Sequence, residues 1–155
     1  LPQIINRIMN MKRFFATLLV CMCAAVSMLA QGAADKIIGN YQIDYNGKQS
    51  KVKIFKYGDG YRVQNTWARE SKNEDGSVKL DVKNPDKAKR KVPVSEIVLI
   101  DKVTYDGEMW CDGKIYDPTS GKKYNVEIRI KDAKTLEVRG KLGPFFKRIY
   151  WTKIQ

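Results

Sequence analysis

The chain has 155 residues, with 29 lysines and arginines against 17 acids, three cysteines and no histidine. Its length suits one ordinary globular domain. The missing histidine excludes Ser-His-Asp and Cys-His catalysis, HExxH metalloproteases, Cys2His2 zinc fingers and His-ligated haem.

At the amino terminus, Met11-Lys12-Arg13 is a short basic segment. The apolar run Phe14 to Val26 follows, and then the small residues Ser27, Ala30, Gly32, Ala33 and Ala34. This is the layout of a secretory signal peptide. It predicts a signal over 11–34, cleavage between Ala30 and Asp35, and an exported domain over 35–155 that is periplasmic or extracellular. Residues 1–10 are read as an upstream extension. The apolar stretch is short for an anchor of about 20 residues. Val20 and Met22, which precede Cys21 and Cys23, do not suit a lipidation signal. Removing 1–34 takes away three cations and no acid, which lowers the net charge from +12 to +9. It also leaves Cys111 as the last cysteine, so an internal disulfide is excluded and a hydrophobic core must hold the domain.

From Asp35 onward the apolar pattern has period two. Ile37 to Asp44 predicts a first strand, closed by Tyr45-Asn46-Gly47, in which Asn-Gly is a strong hairpin signal. Lys51 to Tyr57 and Tyr61 to Trp67, joined by Gly58-Asp59-Gly60, form a second hairpin. Ala68 to Pro93 is dense in charge and is expected to be a long loop with one short strand at most. Ser95 to Ile100 fits either a brief helical turn or the start of a strand. Ile97 to Val103 and Gly113 to Tyr116 are further strands.

The clearest pair comes next. Tyr124, Val126, Ile128 and Ile130 alternate with polar neighbours, and Leu136, Val138, Gly140 and Leu142 do the same beyond the turn Asp132-Ala133-Lys134. Phe146 to Ile154 completes about eight strands. An all-β chain of short antiparallel strands closes either as an up-and-down barrel or as a two-sheet sandwich. Gly39-Asn40-Tyr41 favours the barrel: in lipocalin-like barrels a Gly-x-Trp near the first strand closes the bottom, with an arginine from the last strand packed over the indole. Here Tyr41 replaces the tryptophan, and Arg148 or Lys153 is the candidate cation.

Three later stretches sharpen this. They are Asp81-Val82-Lys83-Asn84-Pro85-Asp86, then Gly113-Lys114-Ile115-Tyr116-Asp117-Pro118-Thr119-Ser120-Gly121-Lys122-Lys123-Tyr124, then Leu136-Glu137-Val138-Arg139-Gly140 with Trp151-Thr152-Lys153. In this order the chain resembles the bacterial domain-of-unknown-function family 2147 over most of its mature length. It departs at Tyr41, where Trp is commoner, and at Lys153, where an arginine often ends the chain. The resemblance implies a small exported domain with a lipocalin-like barrel, and brings no catalytic residues with it.

The residues that could carry chemistry are few. Asp81, Asn84 and Asp86 offer three oxygens, short of the six to eight that calcium takes, and read as a solvated loop with Asx-turns. Asp112 with Asp117 is a carboxylate pair in principle, and Cys111 reads as an inert thiol. No cofactor or metal is expected. The cations Lys48, Lys51, Lys53 and Lys56 and the run Lys83, Lys87, Lys89, Arg90 and Lys91 read as a solvated outer face, or as a surface for an anionic envelope. Nucleic acid is not expected as a partner. The aromatics either line a pocket or fill the barrel. The reading is therefore a monomeric, non-enzymatic barrel that binds a small hydrophobic or amphipathic molecule through Tyr41, Trp67, Trp110, Tyr116 and Trp151. The alternative is docking of a basic face on an anionic surface or a protein partner.

Overall fold

Alternation of apolar and polar residues puts one face of each strand in water and one in the core, and a chain made only of such strands must close its sheet on itself to remove the edges. The computed structural model, which describes residues 31–154, shows that solution. Ile37–Gln155 forms one compact unit. Within it lie β1 (Gly39–Tyr45), β2 (Lys48–Tyr57), β3 (Gly60–Ala68), β4 (Val98–Tyr105), β5 (Trp110–Asp117), β6 (Lys122–Asp132), β7 (Thr135–Leu142) and β8 (Phe145–Lys153). Each strand pairs antiparallel with the next, and β1 pairs with β8, so the barrel is closed. The fold class is the one the sequence predicts. The extension over 1–10 and nearly all of the signal segment lie outside the described residues.

Local chemistry sets the turns. Asn46 and Gly47 both have positive φ, 52° and 74°, as a two-residue hairpin of the twisted kind requires. At the β6–β7 turn, the Asp132 carboxylate accepts the Lys134 backbone N–H. Pairs such as Tyr41 with Val52 on β2, Val63 with Ile100 on β4, and Ile128 with Val138 on β7 set the register. All six side chains are buried, which identifies the inner face. At two places strands approach too closely for a side chain. A Cβ on Gly60 would lie 2.4 Å from the Val103 carbonyl oxygen, and one on Gly113 would lie 2.2 Å from that of Lys102.

The expected long loop runs between β3 and β4. It holds two isolated bridges, Lys72 with Val78 and Leu80 with Pro93, in place of a strand. Its basic run forms a short 3-10 helix, Lys87–Lys91, capped by the Asp86 side chain. The loop is pinned to the barrel wall by a buried polar cluster. The Tyr116 hydroxyl donates to one Asp81 carboxylate oxygen at 2.7 Å, and the Asn84 amide donates to the other at 2.7 Å. Lys83 reaches the Thr119 carbonyl of the β5–β6 turn. The three loop oxygens weighed for calcium are thus engaged by the protein itself: Asp81 by these donors, Asn84 Oδ1 by the Asp86 backbone N–H, and Asp86 by the Ala88 backbone N–H.

Candidate functional site

The two ends of the barrel differ. At the end where β1 begins and β8 finishes, the inward side chains Tyr41, Ile54, Tyr61, Val103, Trp110, Leu136 and Trp151 are buried, and Ile37 is fully buried beside the start of β1. The Tyr41 hydroxyl donates to the Ile37 carbonyl at 2.9 Å, and burial pushes its pKa up to about 12. Lys153 is the cation over this ring, with Nζ 5.9 Å from its centre. A Cβ at Gly39 would stand 2.8 Å from Lys153 Cε, so the glycine of Gly-x-Tyr makes room for the lysine stem. Arg148 lies elsewhere, bonded to Glu137 at 3.2 Å and set against Phe146.

At the other end the register still points side chains inward, but they are only half-buried: Tyr45 and Ser50 on β1 and β2, Ile115 and Tyr124 on β5 and β6, Gly140 and Ile149 on β7 and β8. Solvent therefore reaches the inner wall at this end. The wall is chemically two-sided. The β4–β7 side presents Ile100, Ile115, Tyr124, Val126 and Val138. On the β8–β1–β2–β3 side three inward residues carry buried polar atoms with no hydrogen-bond partner among the described residues: Tyr45 Oη, Asn65 Oδ1 and Trp151 Nε1. Asn65 is 6% exposed, and its amide nitrogen already donates to the Val94 carbonyl at 2.9 Å. Buried polar atoms are normally paired, and an unpaired group costs about 1–3 kcal/mol. A fourth such atom, Arg129 Nε, lies on the outer side of β6.

The five aromatics singled out from the sequence do not meet in one site. Tyr41, Trp110 and Trp151 are inward and form the buried floor. Tyr116 is buried on the outer side of β5. Gly113 faces Val126 on the inner wall, so Tyr116, three residues on, turns outward and lies under the long loop. Burial, together with the bond to Asp81, raises its pKa. Trp67 is also outside. The pairing shifts from Val52 with Asn65 to Lys51 with Trp67, leaving Thr66 as an extra residue, and this bulge turns Trp67 onto the Lys51 side. Trp67 is 40% exposed there, with Lys51 Nζ 5.6 Å from its ring centre. Its strict alternation with Tyr61 and Val63 in the sequence gives no sign of the bulge.

Tyr45 and Asn65 were missed. A polar residue at the inward beat of Tyr61-x-Val63-x-Asn65 was the available signal, since a polar group at a core position needs a reason.

Other candidates resolve simply. Asp112 and Asp117 lie five residues apart on one strand, about 16 Å at roughly 3.3 Å per residue, against the roughly 5–9.5 Å of a working carboxylate pair. Burial raises the Cys111 thiol to about 11, helped by the charges of Asp112 and Asp106, so it stays protonated at neutral pH. An outer depression of about 380 Å³ is lined by Asn40, Gln42, Lys51, Thr66 and Ile154.

Comparison with known proteins agrees with the barrel fold. The solved structure of protein HP1028 from Helicobacter pylori, described as belonging to the lipocalin family, matches with a TM-score of 0.61 and 24% identity, over 77% of this chain and 83% of that one. At that identity the likeness shows the fold. No curated protein matches the chain. A family model described as an uncharacterized protein conserved in bacteria, DUF2147, matches residues 39–153, the whole barrel from Gly39 to Lys153. The chain belongs to the DUF2147 family, and its barrel is lipocalin-like.

Proposed function

We propose that this protein is an exported, non-enzymatic barrel that binds a small amphipathic molecule in the open half of its interior. The observation that carries the reading is the set of buried polar atoms at inward positions, Tyr45 Oη, Asn65 Oδ1 and Trp151 Nε1, with no hydrogen-bond partner among the described residues. The apolar body of the ligand packs against Ile115, Tyr124 and Ile149, above the floor of Tyr41, Trp110 and Trp151. Its polar group accepts from the Tyr45 hydroxyl or the indole, or donates to the Asn65 carbonyl. Burial of apolar surface supplies affinity and the few polar groups supply orientation. Export rests on the basic-apolar-small order of 11–34.

The test is titration with the fluorescent probe N-phenyl-1-naphthylamine, alongside native mass spectrometry of protein purified from its own envelope. Wild type is expected to bind the probe saturably, one to one. Gly140 faces the interior, and its Cβ position is 3.8 Å from Ile115 Cγ2 and Tyr124 Cβ. Gly140→Leu therefore fills the mouth and is expected to weaken binding about tenfold or more. Unsaturable binding by wild type, or unchanged binding by a folded Gly140→Leu variant, would sink the proposal.

A further inference from the structure

The β7–β8 hairpin exposes apolar surface where a stable barrel has no structural need of it. Phe145 is 77% exposed, more than any other large apolar side chain among the described residues, and Leu142 and Phe146 beside it are 64% and 56% exposed. The segment Arg139 to Arg148 also contains four cations, Arg139, Lys141, Lys147 and Arg148, and no acid. Glu137 on β7 offsets Arg139 and Arg148, and Glu127 on β6 offsets Lys141. Lys147 lies over the Tyr45 ring, 4.4 Å from its centre.

Register decides what could cover this tip. Leu142 pairs with Phe145 on the inner-facing side, whereas Phe146 pairs with Lys141 on the outer side. The tip is therefore apolar on both of its faces. A groove on a protein partner takes one face of a hairpin; a bilayer takes the whole tip. The cations stand one to three residues behind the apolar residues, about 3–10 Å at roughly 3.3 Å per residue, on the scale of the roughly 5–10 Å to which an apolar face sinks into the boundary between headgroups and acyl chains. Phenylalanine and leucine are among the side chains that enter that interface, and the lysine and arginine stems reach back from it to the phosphates.

We propose that the β7–β8 hairpin is a membrane-docking element. Leu142, Phe145 and Phe146 enter the interface of an anionic bilayer while Lys141, Lys147 and Arg148 contact its headgroups. Docking in this way turns the half-exposed end of the barrel toward the lipid. The proposal stands on the hairpin alone and does not require a ligand inside the barrel.

The test is co-sedimentation of the full chain with phosphatidylcholine vesicles, with and without phosphatidylglycerol. Binding is expected with the anionic vesicles, with a steep fall as salt is raised. A Phe145→Ser/Phe146→Ser double variant, shown folded by circular dichroism, is expected to lose binding by about tenfold or more. A Phe145→Trp variant is expected to add blue-shifted emission on vesicle addition, and Lys87→Glu/Lys89→Glu/Lys91→Glu to leave binding unchanged. Equal binding to neutral vesicles, full binding by the double variant, or loss of binding on changing the long-loop lysines would overturn it.

Discussion

The barrel's two ends are built from the same strands, yet one is closed by its own side chains and the other is left open. At the closed end Tyr41, Trp110 and Trp151 are at most 2% exposed, and Lys153 lies across the ring of Tyr41. At the open end Phe145 and Leu142 stand in water, and Tyr45 Oη and Asn65 Oδ1 are buried with no hydrogen-bond partner among the described residues. Among the described residues the one cysteine, Cys111, is a free thiol, so the core must supply the barrel's stability, and the division of labour is spatial: packing at one end leaves the other free to be exposed and imperfectly paired.

The largest expected effect tests the closed end. Trp110 is buried, and its ring lies 4.8 Å from that of Tyr105. Trp110→Ala should cost about 3–5 kcal/mol through lost transfer energy and a cavity, read as a lower midpoint in guanidinium unfolding. A loss near zero would mean that the floor does not carry the fold.

Next in size is the outer wall. Tyr116→Phe removes the donor to Asp81 and leaves a buried carboxylate oxygen without that partner. The expected loss is about 1–3 kcal/mol, together with faster amide exchange in the long loop and unchanged exchange in β7 and β8. Equal loosening of both regions would show that the loop is not held separately by this cluster.

The contrast between the ends also explains what the sequence could reveal. Strand order, the Asn46-Gly47 turn and the inward faces of β6 and β7 were legible because period-two alternation and turn chemistry are local. The closing cation was narrowed to two residues, and the register of β8, which pairs Tyr41 with Lys153, decides between them. Trp67 and Tyr116 qualify for the pocket in the sequence only as strand aromatics, and which face each occupies is set by strand pairing. The shift between Lys51 and Val52 and the irregularity before Gly113 are properties of pairing between strands. The β7–β8 tip escaped notice because Leu142-Gly143-Pro144-Phe145-Phe146 reads as ordinary strand ends around a turn. Its exposure follows only from where the barrel stops.

A smaller effect is expected at the closing contact. Tyr41→Phe removes the bond to Ile37 while keeping the ring under Lys153, for a loss of about 1 kcal/mol. It also carries a pH signature. The folded phenol titrates at about 12, above its ordinary 10.0. The unfolded chain therefore gives up its proton first, and the contribution of Tyr41 is fully present below pH 10 and is lost as pH rises toward 12. Wild type should lose stability more steeply than Tyr41→Phe across that window. Parallel curves would contradict a buried, neutral tyrosine.

The smallest expected effect lies at the open end, and it is the one that separates exposure for function from exposure by default. Phe145 meets solvent over most of its surface, so Phe145→Ser should change unfolding free energy by no more than about 0.5 kcal/mol in the same guanidinium titration used for Trp110→Ala. A phenylalanine that contributes nothing to the fold exposes apolar area that favours aggregation. The serine variant should accordingly be as stable and more soluble. A loss of about 2 kcal/mol would mean that the ring is packed in solution, and the two ends would then differ in degree only. Near-neutral stability would leave the three apolar side chains of the tip, Leu142, Phe145 and Phe146, with no role in holding the barrel.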